Sequence, residues 1–511
     1  MEPVNSSTSR LINNTVMLYL RTLLIMFIGL FSSRVILQSL GIDNFGIYNV
    51  VGGFVGMFAV ITNSLVSTTQ RYITVELGKG DNGDLNKVFG IVLTIHIGLA
   101  LLMVLLFETV GLYCLNNVLE IPQDRMYAAQ WVFQISVICS VLGVLSTPYI
   151  GIIVSYERMR AFAFISLQDA ILRLLICYAL YVSNSDRLIL YAVLIGLVSI
   201  WNQFLYMRYC FKNFKSLKSI PRKDKKLFKS IFGFAGMNFL GSFAYILSTE
   251  GVTIILNMFY GVVLNAARGI ATQVQNLVGR FTGDFMTALN PQITKEYSAG
   301  NKEHSQELCF RGAKFSFYIV ALIAIPVAIR ANMLLTLWLG HFPEYTVQFV
   351  RLTLALSMVS VLAGPLVTLI LAVGQITGIS LWIGGIKLLA LPLIYICFKL
   401  FDSPLYAYYV IILLDIFLIF IRLSILQKKT GLSFVKSMTT SVFLPVIYTG
   451  LCAIIVSYIL NIFIIQNIVG VFLFSVLSVI SSAIIIYTIG MKNVERQFVR
   501  SIIGKFIKKI H

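Results

Sequence analysis

The sequence predicts an all-α membrane protein that crosses the bilayer many times. Of its 511 residues, 58% are hydrophobic and only 12% are charged, which is too little charge for the surface of a soluble protein of this length. Apolar runs of about twenty residues, the length that a helix needs to cross a bilayer, recur from one end of the chain to the other. The Lys and Arg residues are concentrated in alternate loops between these runs.

We predict about fourteen transmembrane helices. No small-residue cleavage site follows the first apolar run, so we expect that run to be a retained helix rather than a signal peptide. The approximate limits of the spans are 14–37, 45–69, 88–115, 128–154, 159–183, 187–211, 231–256, 262–290, 309–337, 348–373, 376–399, 405–427, 438–461 and 466–490. In the second span, Gly52, Gly53 and Gly56 suit close helix packing, with a hinge as the alternative.

The charge of the loops orients these spans. The even-numbered connections are basic, and segment 212–229 alone carries eight Lys and Arg residues. The odd-numbered connections hold little more than Arg125, Arg187 and Lys399. Because basic loops stay in the cytoplasm, we expect both termini on the cytoplasmic side. This asymmetry accounts for the net charge of +19, which we attribute to topology and anionic lipid rather than to nucleic acid.

The basic segment also divides the chain. Six spans precede it, and because six is an even number, two six-helix lobes would share one orientation and be related by a pseudo-two-fold axis along the membrane normal. A short internal match supports this division, since Thr74-x-Glu76-x-x-x-Gly80 returns as Thr294-x-Glu296-x-x-x-Gly300. The predicted parts are an N-lobe (1–211, helices 1–6), a basic cytoplasmic linker (212–230), a C-lobe (231–427, helices 7–12), helices 13–14 (428–490) and a basic amphipathic cytoplasmic tail (491–511). For the tail, a disordered basic segment is the alternative to a helix on the leaflet surface.

Ionisable side chains inside the spans are the candidate functional residues, because a charge within the membrane is costly. Arg21 in the first span and Arg268 in the eighth have no carboxylate within one helical turn. We therefore favour a water-filled cavity around them that attracts an anion such as a phosphate or pyrophosphate. Arg34 lies near the outer end of the first span, where it can instead extend to the membrane surface.

The eighth span is the most polar of the fourteen. Its polar residues follow at four-residue steps, so this side should face water or protein rather than lipid; they are Arg268, Thr272, Asn276, Arg280 and Asp284. Glu250 precedes the turn between spans seven and eight by about as much as Arg268 follows it, so we predict that the two lie at equal depth and close enough to pair.

Several carboxylates remain to be assigned. We expect ion pairs between Asp169 and Arg173, Arg280 and Asp284, and Lys387 and Asp415, for which helix–helix stabilisation is the alternative to a functional role. Asp169, Glu250 and Asp284 are the candidate sites for a coupling ion or proton. Coupling to the membrane potential is the alternative.

Other classes of chemistry find little support in the chain. It shows no nucleophile–base pair, phosphate loop or nucleotide motif, its seven cysteines are single, and we interpret His96 as a core residue rather than a proton carrier. We therefore expect no catalytic residue, metal site, disulfide or cofactor. The short outer loops lack clustered Asp, Glu or His, which disfavours a membrane polymerase or glycosyltransferase.

The first ninety residues carry a family resemblance. The turn Leu40-Gly41-x-x-x-Phe45-Gly46-x-Tyr48 and the triplet Gln70-Arg71-Tyr72 resemble those of Wzx-type polysaccharide and O-antigen flippases. These flippases belong to the multidrug/oligosaccharidyl-lipid/polysaccharide (MOP) exporter superfamily, together with the MATE multidrug exporters and the peptidoglycan-precursor flippases. The resemblance covers the layout of the whole chain and, in motifs, mainly the first ninety residues and residues 250–300.

The resemblance implies two six-helix lobes around a central cavity and transport by alternating access. It implies that a polyprenyl-pyrophosphate-linked oligosaccharide is flipped across the bacterial inner membrane for polysaccharide or lipopolysaccharide biosynthesis. The partners would be this lipid-linked substrate, membrane lipids and other polysaccharide-assembly proteins. The alternative function is a cation-coupled multidrug exporter of the same superfamily, against which the arginine-rich character of the candidate cavity argues.

The resemblance also bears on the site. Peptidoglycan-precursor flippases have a cationic cavity with arginines on the first and eighth helices, to which Arg21, Arg34 and Arg268 would correspond. With Asn276 and Arg280 as polar groups for the sugars, these residues form the predicted substrate-binding set. The sugar, the coupling ion, the oligomeric state and the direction in which the protein opens are left undetermined.

Overall fold

The computed structural model describes residues 28–56, 69, 72–73, 76–77, 84–156, 158–183, 185–214, 224–373, 383–493 and 495–497. The side chains of residues 159, 230, 234–246, 284, 287, 288, 291, 295 and 298 lie outside this description. Within the described ranges all regular secondary structure is helical, and eleven segments are long and apolar enough to cross a membrane. The protein is thus an all-α, multi-pass membrane protein, as predicted.

The described part divides into two compact units. The boundaries of these units lie at other residues than the predicted lobe limits. Unit 1 holds the chain up to Gly269 together with Lys387–Leu400, and unit 2 holds Ile270–Ile386 and the chain from Phe401 onward. The lobe limits at 211 and 231 come from counting spans and stay a prediction.

The described residues of unit 1 form seven helices, the beginning of an eighth up to Gly269, and the segment Lys387–Leu400. Its core lies between the second, third, fourth and sixth helices, where Phe54, Phe107 and Phe133 pack together with ring centroids 6.1 to 6.3 Å apart. The helices are α1 (Ile28–Leu40), α2 (Ile42–Gly56), α3 (Leu85–Asn117), α4 (Met126–Ser155), α5 (Met159–Val182), α6 (Arg187–Asn213) and α7 (225–260).

The chain reverses direction at Gly261. The continuous helical stretch Lys225–Ser298 is interrupted there by a left-handed backbone conformation (φ 72°, ψ −167°) that favours glycine. Helix α7 therefore ends before Gly261, and helix α8 (262–298) returns beside it. This reversal lies at the turn predicted between spans seven and eight.

Unit 2 contains the remaining helices, and α9 contacts most of them. Phe310 of α9 packs edge to face against Phe434, with ring centroids 5.6 Å apart, in a core that Phe317, Leu366 and Leu423 complete. After α8 the chain forms α9 (Lys302–Ile329), α10 (Ala331–Leu339), α11 (Thr346–Ser360), α12 (Gly364–Val373), α13 (Ala390–Leu400, in unit 1), α14 (Tyr406–Thr430), α15 (Phe434–Phe463) and α16 (Ile468–Gly490).

One predicted span differs clearly from the observed helix. Span nine, predicted over 309–337, is helix α9 from Lys302 to Ile329, followed by a break at Arg330 and the short helix α10. The predicted span began too late because the first turns of the helix are polar and do not belong to an apolar run. The helix ends earlier than predicted because Arg330 leaves the helical conformation (φ −98°, ψ 27°).

The internal match has a structural counterpart. Glu76 accepts a hydrogen bond from the backbone N–H of Asp84, the N-cap residue of α3, at 2.9 Å. Glu296 accepts one from the side-chain amide of Asn301, the N-cap residue of α9, also at 2.9 Å. Both repeated glutamates therefore hold the start of the helix that follows them, each within its own half of the chain.

Candidate functional site

The described residues contain one buried arginine of the predicted substrate-binding set. Arg268 lies on α8 within unit 1, and 8% of it is exposed. Its Nε donates to Thr253 Oγ1 at 3.0 Å and its Nη2 donates to the Thr249 carbonyl oxygen at 2.8 Å. Both acceptors lie on α7, so the guanidinium is fixed in place by the antiparallel helix beside it.

The Glu250 carboxylate lies near this arginine, as predicted. Glu250 follows Thr249 on α7, and the positive charge of Arg268 acts on it electrostatically. The ion pair predicted between the two residues stays a prediction. The hydrogen bonds that hold the guanidinium, however, involve Thr249 and Thr253, so the arginine is oriented by neutral groups as well as by the carboxylate.

A face of small residues on α2 brings that helix close to these groups. A Cβ atom at Gly53 would lie 2.8 Å from Glu250 Oε2, so the carboxylate rests against the α2 backbone. Asn49, one turn earlier on α2, packs against Gly269 of α8. A Cβ atom at Gly269 would lie 2.5 Å from Asn49 Oδ1. Gly46 approaches so closely that a Cβ atom would overlap the Val262 carbonyl oxygen. Close packing, rather than space for a hinge, is the role observed at Gly53.

A second polar contact holds α7 near the reversal at Gly261. Asn257 is fully buried, and its side-chain amide pairs with the backbone of Glu120, which follows α3. Its Oδ1 accepts from the Glu120 N–H at 2.8 Å and its Nδ2 donates to the Glu120 carbonyl oxygen at 3.1 Å. The α7–α8 pair is therefore anchored on both sides, by α2 and by the chain after α3.

The predicted pair on α5 is confirmed. Arg173 Nε donates to Asp169 Oδ2 at 2.9 Å, and Asn202 of α6 donates to the other carboxylate oxygen at 2.7 Å. In the same unit, the rings of Tyr48 on α2 and Tyr191 on α6 pack edge to face with centroids 4.9 Å apart. Both carboxylate oxygens of Asp169 thus have donors that join α5 to α6.

The other predicted site residues are placed as follows. Arg34 is exposed on α1, and Asn276 and Arg280 are exposed on the part of α8 that belongs to unit 2. Arg21 and the side chain of Asp284 lie outside the described residues, so the pair of Arg280 with Asp284 stays a prediction. Asp415 accepts a hydrogen bond from Ser360 at 2.7 Å, and its pairing with Lys387 also stays a prediction.

Several buried charged residues were not singled out from the sequence; among the described residues they include Arg330, Lys314, Glu495 and Arg422 of α14. Arg330, at the end of α9, binds the connection between α15 and α16. Lys314 of α9 and Glu495 form an ion pair of 2.7 Å with side chains only 2% and 5% exposed. Arg330 and Lys314 fall within the predicted limits of span nine, so the rule that a charge inside a span is significant would have identified them.

His96 on α3 is buried, as interpreted from the sequence. Its Nδ1 lies 2.7 Å from the Val92 carbonyl oxygen one turn earlier, which fixes this nitrogen as the donor. The bond is local to one helix and orients the imidazole within the unit 1 core. It supports a structural role for His96.

Comparisons with known proteins identify the fold. No protein-family model matches the sequence. The chain is 21% identical over 322 residues to the uncharacterized membrane protein EpsK of Bacillus subtilis (strain 168), a match that covers 62% of this chain and 63% of that protein. The structure resembles an inward-facing multidrug resistance MATE family transporter of the MOP superfamily (TM-score 0.66, 13% identity, 80% of this chain and 96% of the transporter).

A second solved structure covers more of the chain. The lipid II flippase MurJ, in an inward closed conformation, matches with a TM-score of 0.66 and 13% identity over 93% of this chain and 99% of its own. The chain therefore has the fold of these two solved structures.

Proposed function

We propose that the protein flips a polyprenyl-pyrophosphate-linked oligosaccharide repeat unit across the bacterial inner membrane by alternating access, for polysaccharide or lipopolysaccharide assembly. Both termini would lie in the cytoplasm. The observation that carries this proposal is the buried Arg268, which α7 holds in a fixed orientation. A preoriented guanidinium inside a membrane protein is suited to a phosphate or pyrophosphate group, because it offers several N–H donors and a permanent charge.

The comparison with solved structures supports a lipid-linked substrate. The lipid II flippase matches 93% of this chain, whereas the MATE transporter matches 80%. The chain therefore has a length and helix layout that the flippase accounts for more fully than the drug transporter does. The substrate named for that flippase is a lipid-linked precursor, the class of molecule that we propose here.

The roles of the site residues follow from their positions. We assign Arg268 to the pyrophosphate, with Arg21 and Arg34 as further cations along the route. Asn276 and Arg280, which are exposed on α8, are assigned to the sugars. These assignments place Arg268 and the two sugar-binding residues on one amphipathic helix, α8, and the two further cations on the first span.

Of the three candidate coupling residues, Asp169, Glu250 and Asp284, we favour one. Asp169 has donors on both carboxylate oxygens, which suits a structural role. Glu250 lies beside Arg268 and against the Gly53 backbone. We therefore propose Glu250 as the acidic group whose charge changes during transport, while Asp284 remains a candidate.

The decisive experiment is a flipping assay in proteoliposomes with a fluorescent polyprenyl-pyrophosphate oligosaccharide. We compare wild type with Arg268→Ala and Arg268→Lys, and use Arg187→Ala as a matched control because Arg187 is an exposed arginine of the same unit. Arg268→Ala should slow flipping by roughly tenfold or more, since one charge-assisted contact contributes about 1.5–3 kcal/mol. Arg268→Lys should recover only part of the rate.

The possible outcomes separate the function from the site. Equal flipping rates for Arg268→Ala and Arg187→Ala would contradict the assignment of Arg268 to the substrate but would leave the proposed flippase function intact. Export of a cationic dye by wild type, without any flipping, would move the protein to the multidrug exporter class.

A further inference from the structure

A cavity lined mostly by charged residues lies at one end of unit 2, where three apolar helices begin or end. Its volume is about 90 Å³, several times the space that a single buried water requires. Residues of the first turns of α9, Ser441 near the start of α15 and Lys492 just beyond α16 line it. The cavity thus sits at the level where apolar helices leave the bilayer.

Three cations line this cavity, and each is held in place by a partner. Lys314 Nζ donates to Glu495 Oε2 at 2.7 Å, and Arg311 Nη2 donates to Glu307 Oε1 at 2.5 Å. Lys492 Nζ donates to Ser441 Oγ at 3.3 Å. Positioned charges lose little conformational freedom when they bind an anion, so such a group of cations forms a favourable site.

The segment after α16 is fixed as part of the wall of this cavity. Glu495 Oε2 also accepts from the Lys492 backbone N–H at 2.7 Å, which ties the first turn of that segment to its own carboxylate. Tyr318, one turn after Lys314 on α9, donates its hydroxyl to the Gly490 carbonyl oxygen at 3.0 Å. Lys492 is therefore presented to the cavity by a backbone that is anchored to α9.

The charge of the lining selects among anions. Three cations (Arg311, Lys314 and Lys492) and two carboxylates (Glu307 and Glu495) give 3 − 2 = +1. A phosphodiester carries one negative charge, whereas a phosphate monoester carries about −1.5 to −2 at neutral pH. The lining therefore matches a phosphodiester, and the phosphodiesters found at the end of a transmembrane helix are those of phospholipid headgroups.

We propose that this cavity binds the phosphodiester headgroup of an anionic phospholipid, with Lys492, Arg311 and Ser441 as the groups that contact the phosphate. Lys314 would contribute its charge from behind them. This lipid site does not depend on the proposed flippase activity. Nor does it depend on the direction in which the protein lies in the membrane, because headgroups are present at both surfaces.

The test is a titration of the purified full-length protein in detergent with dioctanoyl phosphatidylglycerol, followed as the rise in the thermal unfolding temperature. The variant is Lys492→Ala, which keeps the backbone N–H that pairs with Glu495. The matched control is Lys436→Ala, an exposed lysine near the start of α15 that is not among the residues lining the cavity. Inorganic phosphate and dioctanoyl phosphatidylcholine are titrated in parallel arms.

We expect the lipid to stabilise wild type and Lys436→Ala equally, and Lys492→Ala to need roughly tenfold more lipid for the same rise, as for the loss of one charge-assisted contact. Ser441→Ala should weaken binding in the same direction by a smaller factor. Phosphatidylcholine and inorganic phosphate should stabilise less than phosphatidylglycerol.

Two results would overturn the proposal. If both lysine variants lose binding equally, the lipid is attracted by diffuse surface charge and the cavity is not a site. If inorganic phosphate reproduces the stabilisation with the same dependence on Lys492, the cavity binds free phosphate rather than a phospholipid.

Discussion

At Gly53 the α2 backbone and the Glu250 carboxylate are in direct contact, and only a hydrogen atom fits between them. The same helix face carries Gly46, which contacts the Val262 backbone. These two glycines have different neighbours. One neighbour is the mobile end of a side chain, and the other is a backbone carbonyl in the first turn of α8. Identical substitutions at the two positions should therefore have different consequences.

We expect Gly53→Ala to impair transport with little loss of stability, because the Glu250 carboxylate can move away from the added methyl group. Gly46→Ala should destabilise the protein by about 1–3 kcal/mol, because the Val262 backbone cannot yield without moving α8. Thermal unfolding and the flipping assay, applied to both variants, measure the two effects. If Gly53→Ala lowered stability as much as Gly46→Ala, the Glu250 carboxylate would not be able to move away from the added methyl group as we expect.

A pH dependence is expected at Asp224, which lies outside the membrane-spanning segments. The hydrogen bond from Lys87 Nζ, 2.7 Å away, and bonds from the backbone N–H groups of Leu227 and Lys226 lower the pKa of this carboxyl below its ordinary value of 3.8. A carboxyl with a lowered pKa stabilises the folded state at neutral pH, and this contribution is lost as the pH falls through the folded-state pKa.

The variant Asp224→Asn should therefore unfold at a lower temperature than wild type at pH 7, and the gap should narrow as the pH falls below about 3.8. Thermal unfolding at a series of pH values measures this. A gap that stays constant down to the lowest pH would show that the charge of Asp224 contributes nothing.

At the scale of elements, Arg330 at the end of α9 holds the turn of the hairpin formed by α15 and α16. Arg330 Nη2 donates to the Ile464 carbonyl oxygen at 2.7 Å, and Nε donates to Asn461 Oδ1 at 2.8 Å. Its guanidinium also lies 4.6 Å from the centre of the Phe474 ring. Inside the hairpin, Ser457 and Ser478 share a buried hydrogen bond of 2.7 Å. The hairpin is thus held at its turn by Arg330 and along its length by packing.

Arg330→Lys should keep the charge but lose the forked geometry that reaches three acceptors at once, the Asn461 side chain and the carbonyl oxygens of Ile464 and Ile465. We expect it to lower stability by roughly 2 kcal/mol, the contribution of a charge-assisted hydrogen bond. Hydrogen exchange should increase at the turn 464–467 between the two helices. Arg351→Lys is the control, because Arg351 is exposed and donates through Nε to one backbone carbonyl, that of Ala328. Equal exchange in the two variants would argue against Arg330 as the anchor.

At the scale of the whole molecule, the regular part of the fold follows from local pattern. Span four was predicted at 128–154 and is Met126–Ser155, and the turn between spans seven and eight was predicted where Gly261 reverses the chain. Both features depend on hydrophobic runs and on residues that are neighbours in sequence. The approach of Glu250 to Arg268 was predictable for the same reason, since one short turn fixes their depths.

Contacts between distant residues were not predictable in the same way. The partners of Lys314 and Arg330 are 181 and 131 residues away along the chain, and no periodicity relates such positions. The burial of Lys314 and Arg330 could be predicted, because each is a charged residue within an apolar run. The residues that pair with them could not be predicted. Asn202, which completes the Asp169 cluster from α6, was missed because it is an uncharged residue in an apolar helix.

The buried pair of Lys314 and Glu495 allows a quantitative test within unit 2. Glu495→Leu alone leaves the Lys314 ammonium buried without its carboxylate and should cost about 3–5 kcal/mol. The double variant Lys314→Met with Glu495→Leu should recover most of that loss, because two apolar side chains can replace a buried ion pair at little cost. Unfolding midpoints of the two single variants and the double variant form the cycle. A double variant as unstable as Glu495→Leu would show that the charges themselves are required.

The same pair sets an order for biosynthesis. A ribosome completes Lys314 long before it reaches Glu495, so α9 enters the membrane with an ammonium group whose carboxylate does not yet exist. Until residue 495 has been translated, that charge must remain hydrated at the membrane surface. Unit 2 can therefore close over Lys314 only after residue 495 has been translated, and a chain that is cut short after α16 would resemble a trapped assembly intermediate rather than a shortened form of the folded protein.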